Sequence, residues 1–225
     1  MNFESAYSQL FYDGENNDFA TDIGNYHTAI HSTKIKSGNQ LEKFIFGDFK
    51  NNSEANFYNK AKGKTVQNLS QMGPCLINSY RFSKEFYEKH GEICKNKTAV
   101  EVDFIFVDGA QKITLIEVKS GCAFDTKKSK GEIQSLNATS NALTKTGYFS
   151  GVSTCIVCFD AISADDVSLK TEMGEVQIKM FEEFSSMVGV SNGSRQRINL
   201  KKQQEAKKNI EFVKKFCKMM VDKYP

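Results

Sequence analysis

Asp103, Glu117 and Lys119 have the types and spacing to do chemistry, in surroundings where a fold would prefer apolar residues. Asp103 lies in Val100-Glu101-Val102-Asp103-Phe104-Ile105-Phe106-Val107, and the other two lie in Ile113-Thr114-Leu115-Ile116-Glu117-Val118-Lys119. Both runs are rich in β-branched and aromatic residues, the composition of buried strands. Asp108-Gly109-Ala110-Gln111 between them is a turn signal, so the segment is predicted to be a β-hairpin. Glu117 and Lys119 are two apart and share a face. With Gly109-Ala110-Gln111 as the loop, Asp103 falls opposite Glu117, and Glu101 opposite Lys119. A shorter loop would pair Asp103 with Ile116 and scatter the charges over both faces. The longer loop is adopted because it gathers the charges in one place. Two carboxylates about 5 Å apart repel each other, and burying them is costly. A hard divalent cation, Mg²⁺ (or Mn²⁺), removes that cost and leaves room for waters and a phosphate. A neighbouring ammonium can orient or help deprotonate an attacking water and steady charge growing on phosphorus oxygens. The chemistry open to this set is phosphodiester hydrolysis; the plain alternative is an edge hairpin with a surface salt bridge.

The elements around the hairpin must position it. QLEKFIFGDF, after Ser37-Gly38-Asn39, reads as a helix capped by Ser37 or Asn39, with Leu41, Phe44 and Ile45 as its apolar stripe. Residues 78–90, with Tyr80, Phe82, Phe86 and Tyr87, read as a second helix ended by Gly91. A polar loop from Gly121 to Lys130 leads into a helix over Gly131–Thr146, carrying Ile133, Leu136 and Leu143 on one face. Val152–Phe159 is apolar on both faces and is predicted to be a central strand. The order strand, helix, strand predicts a right-handed crossover to a parallel neighbour. Helices over 175–188 (Phe181, Phe184, Met187) and 199–223 (Ile210, Val213, Cys217, Met220) complete the pattern. The expected class is α/β: a central mixed sheet with the charged hairpin, flanked by helices, plus C-terminal helices. One domain over 1–225 is expected, with its core at about 37–160 and a helical extension at 170–225.

EVDFIFVDGAQKITLIEVKSG resembles the central motif of the PD-(D/E)XK nuclease superfamily, the restriction-endonuclease-like fold. Asp103 matches the motif aspartate, Glu117 the acidic position and Lys119 the lysine; Val102 stands where a proline is usual. The resemblance implies a Mg²⁺-dependent nuclease. It implies Asp103, Glu117 and the backbone carbonyl of Val118 as metal ligands, with Glu42, on the helix before the hairpin, as a further acid for the metal site. It also implies Gln134, on the helix after the lysine, near the phosphate, with Lys127 and Lys128 as weaker contacts. A DNA endonuclease of restriction or Holliday-junction-resolvase type is the leading expectation, acting as a homodimer because two strands must be cut. DNA is favoured over RNA. The alternatives are an exonuclease, a cap-snatching-like RNA endonuclease, and a nucleic-acid-binding module with an idle site.

Composition sets the remaining bounds. The formal charge of +3 is unevenly spread: residues 1–25 hold five acids and no Lys or Arg, while residues 195–225 hold ten basic and three acidic side chains. A basic end fits phosphate contacts, and Arg195 and Arg197 in the loop SNGSRQR are candidate nucleic-acid contacts. With only three Arg among 30 basic residues, backbone attraction is better supported than arginine reading of guanine. No apolar run has the roughly 18–20 residues of a membrane helix, and no secretory signal is visible, so an intracellular location is expected. Cys155 and Cys158 form a C-x-x-C within a strand, where residues three apart face opposite ways, so buried free thiols are expected rather than a metal or redox pair. His27 and His31 have helical spacing for two ligands, but no Glu follows the first. No G-x-x-x-x-G-K-[ST] phosphate loop is present.

Overall fold

The computed structural model describes residues 22–24, 40–59, 61, 64–92, 99–121, 123–124, 127–169, 172–190 and 192–223. His27, His31 and the caps Ser37 and Asn39 lie outside them. The chain divides into two compact units, Leu41–Ile198, and Met1–Gln40 with Asn199–Pro225. Among the described residues no helix is long and apolar enough to cross a membrane.

The first unit is a mixed α/β structure with a helix-flanked sheet, as expected. In chain order its main elements are α1 (residues 40–52), β1 (Asn56–Asn59), α2 (Val66–Ser70), β2 (Cys75–Ser83), α3 (Lys84–Lys89), β3 (Ala99–Val107), β4 (Lys112–Lys119), β5 (Ala123–Phe124), α4 (Lys127–Thr146), β6 (Gly151–Cys158), β7 (Ser168–Leu169), β8 (Gln177–Met180) and α5 (Phe181–Met187). The main sheet runs β1-β2-β3-β4-β6-β8. β3 is antiparallel to β2 and β4, whereas β4, β6 and β8 are parallel. β6 therefore lies inside the sheet, and α4 is the crossover that joins it to its parallel partner β4.

Both faces of the sheet are covered. Ile133, Leu136 and Leu143 of α4 join Ile105, Leu115 and Ile156 in one core. Leu41, Ile45 and Phe49 of α1 join Phe104, Ile116, Phe181 and Phe184 in the other. Cys158 belongs to the first and Cys155 to the second, and both are free and buried, as expected for strand residues three apart. Burial pushes the Cys155 thiol up to about 12 and the Cys75 thiol up to about 11, so neither is a ready nucleophile.

Two predicted helices are corrected. Residues 78–90 are not one helix: β2 runs to Ser83, whose hydroxyl then caps α3 by accepting the Phe86 N–H at 3.3 Å. Likewise 175–188 splits into β8 and α5, with the Glu183 carboxylate accepting the Met180 N–H at 2.6 Å. In both places strand passes to helix with no linker, so the apolar residues of two elements read as one period.

The long helix α6 (Ser194–Lys223) spans the division between the units. Its expected stripe is not a core: Ile210 and Val213 are exposed, as is Cys217. Lys223 pairs with Asp22 at 2.8 Å within the second unit.

Candidate functional site

The hairpin turn sets the register. Asp108 N–H donates to the Lys112 carbonyl at 3.2 Å, leaving Gly109, Ala110 and Gln111 as the loop, and Phe104–Val107 pair with Ile116–Ile113 in the expected register. Gly109 has φ +81°, and a Cβ there would lie 2.8 Å from Pro74 Cδ, so glycine is required.

The ladder does not continue to Asp103. On the β2 side, Ser79 has φ +60° and is skipped in a register that otherwise continues from Asn78↔Phe104 to Tyr80↔Val102. Cys75 and Ile77 face the α4-side core before this point, and Tyr80 and Phe82 face it after; across the pair, Ile105 and Val107 give way to Val102 and Val100. Both strands thus change phase together, at Ser79 and at Asp103. Side chains seal the break: Asn78 Nδ2 donates to the Asp103 carbonyl at 3.1 Å, and Asp103 Oδ2 accepts the Val118 N–H at 2.8 Å. Asp103 therefore meets β4 through its carboxylate rather than as a ladder partner of Glu117. The second expected pairing is corrected too. Glu101 turns to β2, where it accepts from Ser79 Oγ and pairs with Arg81, because beyond Asp103 β3 pairs only with β2.

The structure brings Asp103, Glu117, Lys119 and Glu42 together. Glu42 comes from α1 and lies within hydrogen-bonding reach of the Asp103 carboxyl. Lys119 Nζ is 3.4 Å from Glu117 Oε1 and 2.6 Å from Glu132 Oε2. Burial, reinforced by Glu42, pushes Asp103 up to about 7, and burial with the Asp103 charge pushes Glu117 up to about 8. Burial and then Glu117 also raise Glu42. Burial is the largest single influence on Lys119 and opposes its charge. Glu117, Glu132 and Asp103 together outweigh it and hold the ammonium above the usual lysine range. The site is thus a set of mutually repelling, poorly hydrated acids around one cation. Among the described residues, no three His, Cys, Asp or Glu side chains already stand as a metal-holding group.

Other sequence candidates fall elsewhere. Gln134 is exposed on α4; Glu132, which sequence reasoning missed, is the α4 residue at the cluster. A signal for it existed. At 100° per residue the stripe Ile133, Leu136, Leu143 turns Gln134 about 150° away from the core and leaves Glu132 about 50° from it. Arg195 and Arg197, the expected nucleic-acid contacts, also make contacts within the fold. Arg197 Nε and Nη2 donate to the two Asp48 oxygens at 2.7 and 2.9 Å. Arg195 stacks over Phe159 and Phe181, donates to the Ala161 carbonyl at 2.9 Å and pairs with Glu182. The side chains of Lys127 and Lys128 lie outside the described residues.

No family model matches the chain, and no solved structure matches it. The chain is similar to the type II restriction enzyme HhaII of Haemophilus parahaemolyticus, with 29% identity over 119 residues. That stretch covers 51% of this chain and 48% of the enzyme, so the chain spans about half the length of the curated relative it matches.

Proposed function

We propose that this protein is a Mg²⁺-dependent (or Mn²⁺-dependent) nuclease that cuts phosphodiester bonds in DNA, of restriction type. The observation that carries the reading is the largely buried pair Asp103 and Glu117, each driven toward protonation by loss of hydration and by its acidic neighbours, with the Lys119 ammonium alongside. Similarity to a type II restriction enzyme favours DNA as substrate and restriction over junction resolution.

The donor set fits a hard dication. Mg²⁺ needs only one or two carboxylates besides substrate oxygens and waters, and a dication here would offset both the burial and the repulsion that raise the two acids. Asp103 and Glu117 would hold it, with the Val118 carbonyl as a further oxygen and Glu42 as an acid able to join through Asp103. When bound, the ion would polarise the scissile phosphate and offset its charge. The protein's own groups do the rest. The Asn78 and Val118 contacts hold Asp103 in place. Lys119, kept charged by its acidic neighbours, acts as a donor: it orients the attacking water and stabilises charge developing on the phosphate oxygens. Cutting both strands of a duplex calls for two such sites, and a homodimer is part of this reading.

The test is to incubate the protein with plasmid, single-stranded DNA, a four-way junction and RNA, each with Mg²⁺, Mn²⁺ or EDTA. Discrete plasmid fragments that require the metal are expected. Selective junction cutting, or a smear to mononucleotides, would reassign the role on the same site. Absence of cleavage on every substrate would remove the reading.

A further inference from the structure

We infer that Glu132 is a positioning residue whose carboxylate draws the Lys119 ammonium off Glu117 and so keeps Glu117 available to a divalent cation. The inference rests on reading Asp103 and Glu117 as cation ligands, and it goes beyond that reading.

Lys119 stands between two carboxylates, and the contacts are unequal. Its Nζ lies 2.6 Å from Glu132 but 3.4 Å from Glu117, the outer edge of a hydrogen bond. Glu117 and Lys119 share one face of β4, two residues apart, so nothing in the strand prevents the ammonium from closing directly onto Glu117. Such a collapsed pair would neutralise Glu117, and a dication would have to displace it. The near contact to Glu132 opposes that collapse and removes freedom from a long side chain that would otherwise sweep the strand end.

Glu132 is well placed for this. It sits on α4 beside Ile133, which is buried in the same core as Leu115 of β4. The helix is also tied down by a buried hydrogen bond of 2.7 Å between Thr139 Oγ1 and the Tyr87 hydroxyl. A cleft of about 250 Å³, lined by Glu101, Glu117, Glu132 and Ser135 among others, opens between β3 and α4. Water can therefore reach this flank of Glu132, and replacing its side chain leaves no dry hole in the core. The arrangement divides the labour among acids: Glu132 takes the lysine, so that Glu117 need not.

Manganese binding by the full chain without DNA, read by electron paramagnetic resonance, tests this apart from cleavage. Glu132→Ala is expected to weaken Mn²⁺ binding about tenfold with an unchanged melting temperature, and Glu132→Gln, which keeps an acceptor for the ammonium, to weaken it less. The decisive measurement is the same substitution in a Lys119→Met background, where no ammonium remains to collapse and the loss should disappear. An equal loss in both backgrounds would mean that Glu132 acts on the ion directly and would overturn the inference. Wild-type affinity in Glu132→Ala would overturn it while leaving the nuclease reading intact. No Mn²⁺ binding by the wild-type chain would overturn the metal reading and this inference with it.

Discussion

Two places in the sheet-bearing unit draw acidic side chains wholly or largely out of water, and they solve the problem in opposite ways. Asp48, on α1, is 2% exposed. Both its oxygens meet the Arg197 guanidinium, and Ser194 Oγ adds a third donor at 2.6 Å. The pair holds Arg197 above its usual range, chiefly through the hydrogen bonds to Asp48. Asp103, Glu117 and Glu42 form the contrasting case. Several acids share one lysine, and that lysine makes its closest contact with Glu132. The first arrangement is a finished ion pair that ties α1 to the start of α6. The second is unfinished, with each acid raising its neighbour. Burial of a carboxylate says little about function; burial without sufficient positive charge says a good deal.

That contrast can be broken by substitution. Asp103→Asn, which keeps an acceptor for the Val118 N–H, is expected to reduce DNA cleavage by about a thousandfold or more, on the order of 4 kcal/mol in the barrier. It should also raise the melting temperature of the metal-free protein at pH 8 by several degrees, since it removes a poorly tolerated charge. Loss of cleavage with a lowered melting temperature would mean that Asp103 is another structural acid. Arg197→Ala is the mirror experiment. It leaves Asp48 buried without its guanidinium and should cost about 2–3 kcal/mol in denaturant unfolding. This is below the range for a fully enclosed pair, because the arginine side chain is 33% exposed.

A smaller effect follows from pH. Asp103 and Glu117 have folded-state values near 7 and 8, above their unfolded values of about 4. Their contribution is therefore fully present below about pH 4 and is lost as pH rises through 7 and 8. Metal-free wild type should lose melting temperature between pH 5 and pH 8.5 relative to Asp103→Asn, and Mg²⁺ should restore more of it at the higher pH. Parallel melting curves for the two proteins would count against the raised acids. Least in magnitude, Asn78→Ala takes the donor from the Asp103 carbonyl and should cost about 1 kcal/mol. The accompanying fall in cleavage should exceed what that loss of folded protein explains, because the break at Ser79 and Asp103 is then unsealed.

Legibility in the sequence followed how local each decision was. The hairpin was readable because its register depends on a short turn and on alternation within single strands: the Gly109–Gln111 loop alone puts Phe104 opposite Ile116. The α4 stripe and the buried thiols of β6 were readable for the same reason. The strands β2 and β8 were not. Their apolar residues run directly into capped helices, and only pairing with β3 and β6 selects the extended form over residues 75–83 and 177–180. Glu42 was suggested by resemblance, and the fold places it beside Asp103. Glu132 was passed over in favour of Gln134, although the phase of the helix already distinguished them.

Residue order by itself determined a charged, strand-borne Asp103, Glu117 and Lys119, their common hairpin and the turn that aligns it, since each depends on neighbours a few positions away. Tertiary structure decided which charges meet: that Glu101 turns to Arg81, that Glu132 takes Lys119, and that the two arginines of α6 are paired within the fold. The reason is physical. Side-chain alternation is a property of one strand, whereas desolvation and ion pairing depend on what distant segments place within a few ångströms, and no local pattern encodes that distance.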